Sequence, residues 1–384
     1  MPIYLDNSTT AKPSDKAISM MMPFFTHHWG IPSAPHHKGQ ELYPALIQSY
    51  KTIYEAIGAK ERDQFVFTSS GAEAVNQVVM SVYKDVTVQS GKNQFLTSVL
   101  DEAPAIMATG RLDQLGCVAK MIPAAPQGYV TAEAFAETIS PRTAMVSLSW
   151  ASGMTGVIQP LKEIAALCKQ RGIFLHVDAT HILGKLYYDL EDVGADYITF
   201  NGDQLHAPKG TGGLYIRYGV KCSPLISGSS DQAGMRGASI NMPGLVSLAT
   251  AAKEAIDCRD LVCTEVARLR DKLEQGILRI YPKATVCFND QERLPNCSAI
   301  IFPGIINESL LYALNRKGVY ASIGGGVFQQ LGLLLQACGI DEKLAQCAIS
   351  FSLSRYTTDE EIDEAIKIIE ECTKSLHKIS QEIA

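Results

Sequence analysis

The chain has 384 residues, of which 46% are hydrophobic and 19% charged, with a formal net charge of −6. This length and composition indicate a folded protein with room for two domains and exclude an intrinsically disordered chain. The negative charge gives no electrostatic reason to expect nucleic acid or an anionic membrane as a partner. The ten cysteines include no Cys-x-x-Cys pair, so neither a metal site nor a secreted disulfide framework is expected.

The start of the sequence shows no targeting signal. Met1 leads directly into Pro2–Asp6, without the basic and apolar regions of a signal peptide. No apolar run approaches the roughly 20 residues that a membrane-spanning helix needs. We therefore expect a cytoplasmic protein that does not associate with membranes.

Short apolar runs alternate with amphipathic helical segments through the first two-thirds of the chain. Helical segments such as Pro160–Gly172 are predicted to make crossover connections, which favours a largely parallel sheet in an α/β protein. The runs predicted to form its strands are Gln64–Thr68, Asn93–Thr97, Thr143–Ser149, Phe174–Asp178, Tyr197–Phe200 and Gly213–Arg217.

A long helical segment, Pro243–Tyr281, is expected to link this part of the chain to a smaller domain. In that domain, strands are predicted at Ser298–Phe302 and Ile349–Leu353, alternating with helices. A final helix is predicted from about Asp359 to the C-terminus. The sequence contains no internal repeat and no low-complexity linker.

The turn Thr68–Ala74, between a predicted strand and a predicted helix, is the first candidate for chemistry. Its small residues would let the backbone N–H groups at Gly71 and Ala72 close around an anion at the N-terminus of a helix. An ordinary strand–helix turn fits the same residues, so the motif alone leaves both interpretations open.

The acidic end of the predicted strand Phe174–Asp178 is the second candidate. Carboxyl ends of parallel strands face the crevice where ligands bind, so Asp178 is placed to pair with a protonated pyridine nitrogen. An aspartate that caps a helix is the alternative interpretation.

The segment Tyr197–Gly210 resembles the one that carries the cofactor lysine in pyridoxal-phosphate enzymes, yet Gln204 stands at the lysine position. Imine formation needs a primary amine that can lose its proton and attack an aldehyde. A carboxamide nitrogen is delocalised into its carbonyl and cannot do this. The nearby lysines, Lys185 and Lys209, are expected to belong to the scaffold.

Taken in order, these segments resemble a single family over essentially the whole chain. The sequence is similar to the class V aminotransferases, which are fold-type I pyridoxal-phosphate proteins, and most closely to the cysteine desulfurases of the NifS/IscS-like kind. The matching segments are Tyr4–Thr10, Gly30–His36, Phe67–Asn76, Gly156–Gln159, His176–Lys185, Pro208–Gly210, Gly234–Ser239 and Phe351–Arg355.

The resemblance implies a large domain, residues 12–250, in which a mostly parallel seven-stranded sheet lies between helices. Residues 1–11 and 251–384 would form a smaller α+β domain. A homodimer with active sites at the subunit interface is implied as well. Members of the family convert L-cysteine to L-alanine, and a loop cysteine takes the sulfur for iron–sulfur cluster or thio-cofactor synthesis.

By the same resemblance, several positions keep a role in binding the cofactor. Asp178 would pair with the pyridine nitrogen, and His181 would face the phenolic oxygen, where the desulfurases usually have glutamine. Backbone groups at Gly71 and Ala72 would hold the phosphate, and Ser239 would lend a hydroxyl to the phosphate site of the second subunit.

Other cofactor positions have lost the family's residues. Asn201 and Asp203 replace a serine and a histidine ahead of the lysine position, and Glu102 replaces the histidine that stacks on the pyridine ring. Asp203 would place a negative charge close to the phosphate, which is unfavourable unless a cation intervenes.

The substrate and sulfur-accepting positions have changed too. Ser152 lies in the stretch that replaces Asn-Asn-Glu, and Ser350 replaces the arginine that clamps the substrate carboxylate. Gly324 stands at the catalytic cysteine, within Ser322–Gly326, and no cysteine occurs between residues 298 and 337. The three consecutive glycines of this segment fit two interpretations: a mobile loop, or a loop that has lost its function and is now only structural.

Three hypotheses follow. The first is a degenerate desulfurase that keeps the dimeric fold and acts by binding an active homologue or a sulfur-acceptor or scaffold protein. The second is an active enzyme with altered chemistry, which uses non-covalently bound pyridoxal or pyridoxamine phosphate beside Glu102, Asp203 and His181. The third is an ordinary cysteine desulfurase. Covalent attachment of the cofactor at Gln204 is impossible in each, so the cofactor is untethered or absent.

Overall fold

The computed structural model of the chain describes residues 2–325 and 330–383, with side chains of the C-terminal helix described as far as His377. Its strands are β1 (Ile3–Tyr4), β2 (Gln64–Thr68), β3 (Gln94–Ser98), β4 (Val118–Ile122), β5 (Thr143–Ser149), β6 (Phe174–Asp178), β7 (Tyr197–Asn201), β8 (Gly212–Ile216), β9 (Thr285–Val286), β10 (Cys297–Ile301), β11 (Val319–Tyr320) and β12 (Ala348–Ser352).

The α-helices of the same residues are α1 (Asp15–Met21), α2 (Pro23–Thr26), α3 (His37–Gln40), α4 (Tyr43–Ile57), α5 (Gly71–Val82), α6 (Val88–Ser90), α7 (Ala103–Arg111), α8 (Ala132–Thr138), α9 (Leu161–Arg171), α10 (Leu190–Val193), α11 (Met242–Asp257), α12 (Arg259–Leu261), α13 (Ala267–Ile280), α14 (Asn307–Arg316), α15 (Leu331–Ala337), α16 (Glu342–Ala345) and α17 (Asp359–Ile383). Across these residues, no helix combines the length and the apolar character needed to cross a membrane.

The central sheet has the strand order β2-β8-β7-β6-β5-β3-β4. Strands β3 to β7 pair in parallel, and β8 runs antiparallel to its neighbours β2 and β7. The mostly parallel seven-stranded sheet predicted from the family resemblance is therefore confirmed.

Both faces of this sheet are buried. Successive side chains of a strand point to opposite faces, and in β2 Phe65 and Phe67 join one hydrophobic cluster while Val66 joins another. The first cluster also contains residues of α4, α9 and α11, and the second contains residues of α5 and α7. Helices on the two faces explain why all seven residues of β5 are buried.

The C-terminal third forms its own core around an antiparallel sheet in the order β12-β10-β9. Ile3 and Leu5 join this core, and β1 pairs in parallel with β11. This packing of the N-terminal strand with the C-terminal third is consistent with the predicted small domain, residues 1–11 and 251–384. The domain boundaries themselves stay a prediction. Helix α11 crosses residue 250, and its residues Ala251, Ala252 and Ala255 pack in the large-sheet cluster.

The two-residue strands β1, β9 and β11 were not predicted from sequence, and two longer elements also differ from the predictions. Strand β4 was not predicted, because it lies at the edge of the sheet with Val118 and Met121 exposed, so no apolar run marks it. The helical segment predicted over Pro243–Tyr281 is helical but interrupted: α11 ends at Asp257, Cys258 has φ −95° and ψ 4°, and α12 and a π-helical turn, Val262–Val266, precede α13.

Strands β2, β3, β5, β6 and β7 end at the same edge of the sheet because they run in the same direction. The turns that follow them carry most of the candidate functional residues. At the end of β2, Gly71 opens α5 in close contact with β7, since a Cβ there would lie 3.2 Å from the backbone nitrogen of Asn201. Only glycine allows this approach without displacement.

Candidate functional site

Asp178 ends β6 and is buried. Its Oδ1 accepts the backbone N–H of Thr180 at 2.9 Å. Burial raises the pKa of the Asp178 carboxyl, Thr180 lowers it through hydrogen bonds, and the Glu102 carboxylate raises it further. The helix-capping role considered from sequence is not what the structure shows, because Asp178 caps the turn after β6.

His181 faces Glu102 across this edge of the sheet. His181 Nε2 lies 3.2 Å from Glu102 Oε1, and His181 is 6% exposed. A Cβ at position 153 would lie 2.4 Å from both Nε2 and Cε1 of His181. The imidazole therefore fills the space that any side chain at Gly153 would need. His181 Nδ1 is buried and has no hydrogen-bond partner among the described residues.

A pocket of about 210 Å³ lies beside this pair. The N-terminal segment contributes Asp6, Ser8 and Thr9, and the small domain contributes Ser322, Gly324 and Ser350. The structure thus brings Glu102, His181, Gly324 and Ser350 together in one pocket, and the roles that the resemblance implies for these positions stay predictions.

The two serines at the predicted substrate positions are engaged in holding a turn. Ser350 Oγ donates to the backbone carbonyl of Met154 at 2.7 Å. Ser152 Oγ accepts the backbone N–H groups of Met154 and Thr155 at 3.3 and 3.2 Å. Gly324, at the cysteine position, has φ 84°, which favours glycine. Gly326, the last of the three glycines, lies outside the described residues.

Gln204 lies in the 3₁₀ turn Gly202–Leu205 that follows β7 and is 5% exposed. Its Nε2 donates to the backbone carbonyl of Ser8 at 2.8 Å. Its Oε1 is buried without a hydrogen-bond partner in the described part of the chain. The amide at the expected lysine position is thus bonded to the N-terminal segment.

Asn201 and Asp203 connect the start of α5 to the N-terminal segment. The backbone N–H of Gly71 donates to Asn201 Oδ1 at 3.1 Å, and Asn201 Nδ2 donates to Asp203 Oδ1. Asp203 Oδ2 accepts the hydroxyl of Thr10 at 3.0 Å, and Lys209 Nζ donates to the same hydroxyl at 2.8 Å. One hydroxyl therefore links a cation to the buried Asp203 carboxylate.

Other backbone N–H groups at the start of α5 also donate hydrogen bonds to side chains of this chain. The backbone N–H of Glu73 donates to Ser70 Oγ at 3.1 Å, and Glu73 Oε2 accepts the N–H of Ser69 at 2.8 Å. Ala72 is exposed. Ser239 is exposed as well and does not line the pocket beside His181, so this chain does not bring it to the other candidates.

Lys185 lines a second, smaller cavity together with Gln204. Burial lowers the pKa of the Lys185 ammonium to about 8, which raises the fraction of free amine at neutral pH. The cavity has a volume of about 30 Å³, enough for about one water molecule. A pyridine ring cannot enter it, so Lys185 does not replace the missing lysine.

Comparison with known proteins places this site in a family. The class V aminotransferase model matches residues 3–365. The chain belongs to the class V aminotransferase family. It is 33% identical over 381 residues to the cysteine desulfurase NifS of Azotobacter vinelandii, covering 98% of this chain and 94% of that protein. It is 34% identical over 368 residues to a cysteine desulfurase of Bradyrhizobium diazoefficiens, covering 95% and 93%.

Solved structures agree with this class V assignment. A NifS-like protein superposes with a TM-score of 0.91 at 29% identity, covering 98% of this chain and 100% of that one. A NifS-like protein from Rickettsia africae superposes with a TM-score of 0.86 at 22% identity, covering 97% and 100%. The second likeness shows the fold alone. The resemblance to the desulfurases and the fold-type I architecture are confirmed.

Class V cysteine desulfurases depend on pyridoxal phosphate, and the residues of this chain do not fit a tethered cofactor. Gln204 offers an amide where an imine needs an amine. The N–H of Gly71, a donor that a phosphate would use, is held by Asn201. The buried carboxylate of Asp203 joins the same network and would repel a phosphate.

Sequence reasoning assigned no role to Ser8 and Thr10, which the structure bonds to Gln204 and Asp203. These contacts join residues more than 190 positions apart, so no local pattern reveals them. The only signal was that Ser8 and Thr10 belong to the N-terminal segment that matches the family.

Proposed function

We propose that this chain is a cysteine desulfurase-like protein without desulfurase activity, which acts through binding. One observation carries the proposal: the buried amide of Gln204 is bonded to the carbonyl of Ser8 at the position where the family reaction needs an amine. Glycine at position 324 and serine at position 350 remove the sulfur acceptor and the carboxylate clamp in parallel.

An active enzyme that holds pyridoxal or pyridoxamine phosphate without a covalent bond is the second candidate. The contact between His181 and Glu102 supports it, because an imidazole beside a carboxylate is a common acid–base pair. The bond from Gly71 to Asn201 counts against it, since it occupies a donor that the phosphate would need. Turnover of small amino and keto compounds above that of an Asp178→Ala variant would favour this candidate.

The binding partner that the surface supports best is a second copy of this chain. Helices α1, α2 and α4 all pack against α11. The surface around them exposes large apolar side chains, which monomers rarely gather in one area: Ile18, Met20, Met22, Phe25, Trp29, Ile31, Tyr43 and Ile47. Ser239 is exposed, as it must be if its hydroxyl is to reach the phosphate site of a second subunit.

An active desulfurase homologue would present a related face and could form a heterodimer, and a sulfur-acceptor or scaffold protein could bind the dimer. We propose a cytoplasmic location and a role in iron–sulfur cluster or thio-cofactor synthesis. The net charge of −6 continues to disfavour a nucleic-acid partner.

The test uses the purified full chain. We expect no visible imine absorbance after incubation with pyridoxal phosphate and no sulfide from L-cysteine with a thiol reductant. Native mass measurement should give twice the chain mass. An imine band, or sulfide release above that of an Asp178→Ala variant, would refute the proposal. A Gln204→Lys variant, taken through both assays, shows whether the amide alone blocks attachment.

A further inference from the structure

Strands β2 and β4 form the two edges of the seven-stranded sheet, where each pairs with a single neighbour. Backbone N–H and C=O groups on the open side of an edge strand can pair with a strand of another chain. We propose that the side chain of Gln232 caps the β2 edge and blocks its pairing with a strand of a second copy of this chain. This autoinhibitory contact goes beyond the proposed function, because it needs neither a cofactor nor the proposed dimer.

Gln232 takes the place of a strand residue at the β2 edge. Its Oε1 accepts the backbone N–H of Phe67 at 2.7 Å, and its Nε2 donates to the carbonyl of the same residue at 2.9 Å. A residue of a neighbouring antiparallel strand exchanges the same two hydrogen bonds with its partner. The hydroxyl of Tyr50 donates to Gln232 Oε1 at 2.9 Å and holds the amide in this orientation. The amide therefore occupies the groups through which another strand would add.

A second backbone donor of β2 is occupied as well. The backbone groups of Phe65 point to the same side of the strand as those of Phe67, because their direction alternates along a strand. A hydrogen bond joins the N–H of Phe65 to the hydroxyl oxygen of Tyr54, whose own proton goes to the carbonyl of Asp63 at 2.9 Å. Tyr54 belongs to α4, whereas Gln232 lies on the loop between β8 and α11. A loop side chain thus completes a closure that α4 begins.

The backbone of the loop is strained where it delivers the cap. Gln232 has φ 51° and Ala233 has φ 56°, in the left-handed region that side chains other than glycine rarely adopt. Such conformations persist where the surrounding structure holds them, and they are concentrated at functional contacts. The paired bonds to Phe67 are contacts of this kind, so the strain is a sign that the position of the amide matters.

The sequence of β2 explains why its edge needs a cap. Its residues, Gln64–Thr68, carry no charge, proline or glycine, and all but Gln64 are buried. Uncharged segments of high β-propensity pair readily with other chains when their edge is open. The other edge strand, β4, carries the exposed Lys120, and its Ala119 N–H donates to Asp113 Oδ1 at 3.2 Å. Charges guard β4, whereas the protection of β2 depends on neutral side chains.

The experiment compares Gln232→Gly with Ala233→Gly in the full chain. Glycine adopts a positive φ without strain, so both variants relax the loop, and only the first removes the cap. Hydrogen exchange, measured by mass spectrometry on peptides that cover β2, reads the closure directly. We expect exchange at the Phe67 amide to be about tenfold faster in Gln232→Gly. Sedimentation and thioflavin T fluorescence, at equal chain concentrations, measure assembly through strands.

We expect Gln232→Gly to form larger species than the parent chain, with increased thioflavin T fluorescence and unchanged near-UV circular dichroism. Ala233→Gly should match the parent chain in size and in exchange. Unchanged exchange or unchanged size in Gln232→Gly would overturn the proposal. Equal assembly of both variants would overturn it too, because loop flexibility would then be the cause. Assembly that abolishes the native circular dichroism would do the same, since it would come from unfolded chains.

Discussion

The side-chain amide of Gln204 donates a hydrogen bond to the backbone carbonyl of Ser8 at 2.8 Å, across 196 residues of sequence. Asp203, the preceding residue, accepts the hydroxyl of Thr10. Two adjacent residues at the cofactor-lysine position thus hold the N-terminal segment, which lines the pocket beside His181. In this chain, these residues fasten one part of the fold to another.

Replacement of Gln204 tests this fastening role. Gln204→Met keeps the size of the side chain but leaves the Ser8 carbonyl without its donor, which costs about 1–3 kcal/mol. The substitution also removes the unpartnered Oε1, so we expect the free energy of unfolding to fall by about 1–2 kcal/mol. Urea unfolding measures the change. Gln89→Met is the control, since Gln89 is exposed, and should change stability by less than about 0.5 kcal/mol. An equally small change in Gln204→Met would contradict the role.

The match between Gly153 and His181 is tested by a double-mutant cycle. Gly153→Ala forces the ring of His181 from its place, and overpacking of this kind costs about 1–3 kcal/mol. In a His181→Ala background, the same substitution should cost much less, which gives a coupling energy of about 0.5–3 kcal/mol.

The control for this cycle is Gly110→Ala. A Cβ at Gly110, in α7, meets nothing within 4 Å, and alanine is the better helix former. We expect that variant to be neutral or more stable by up to about 1 kcal/mol. If Gly153→Ala costs the same with and without His181, the two residues are not coupled.

The fold was largely predictable because its signals are local. The apolar run of β5 and the amphipathic pattern of α9 are visible over a few residues, and the end of β6 indicated Asp178, whereas His181 was implied by the family resemblance. Strand β4 was not predicted because an exposed edge strand needs no apolar run. The partners of Gln204 and Asp203, which are Ser8 and Thr10, were not predicted because they depend on how distant segments pack, which no local pattern encodes.

The proposed dimer face is tested with a charge at its most exposed aliphatic residue. Ile47 in α4 is 64% exposed, and Ile47→Asp would bury an unpaired carboxylate if a second copy covered it. We expect monomers in native mass measurement and in sedimentation. Val88→Asp is the matched control, because Val88 is also 64% exposed and lies in α6, away from this face. A dimer that survives Ile47→Asp would rule out this face.

Acid sensitivity should come in part from a buried histidine in the sheet. His176 lies between Ser147 and Thr199, with ring nitrogens 2.7 and 2.8 Å from their hydroxyls, and burial lowers the pKa of His176 to about 3. The pKa is therefore lower in the folded chain than the usual value of 6.5. The neutral ring stabilises the fold fully above that value, and this contribution is lost as the pH falls from about 6.5 towards 3.

From pH 7 to pH 5, the loss attributable to His176 is about 2 kcal/mol, at about 1.4 kcal/mol for each pH unit below 6.5. His176→Gln cannot take up the proton, so its free energy of unfolding should fall by about 2 kcal/mol less over this range. Burial also lowers the pKa of His206 to about 4, but that contribution is present in both proteins and cancels. His36→Gln, at an exposed position, should behave like the parent chain. Equal pH dependence in His176→Gln and the parent chain, measured by urea unfolding, would show that His176 is not the source.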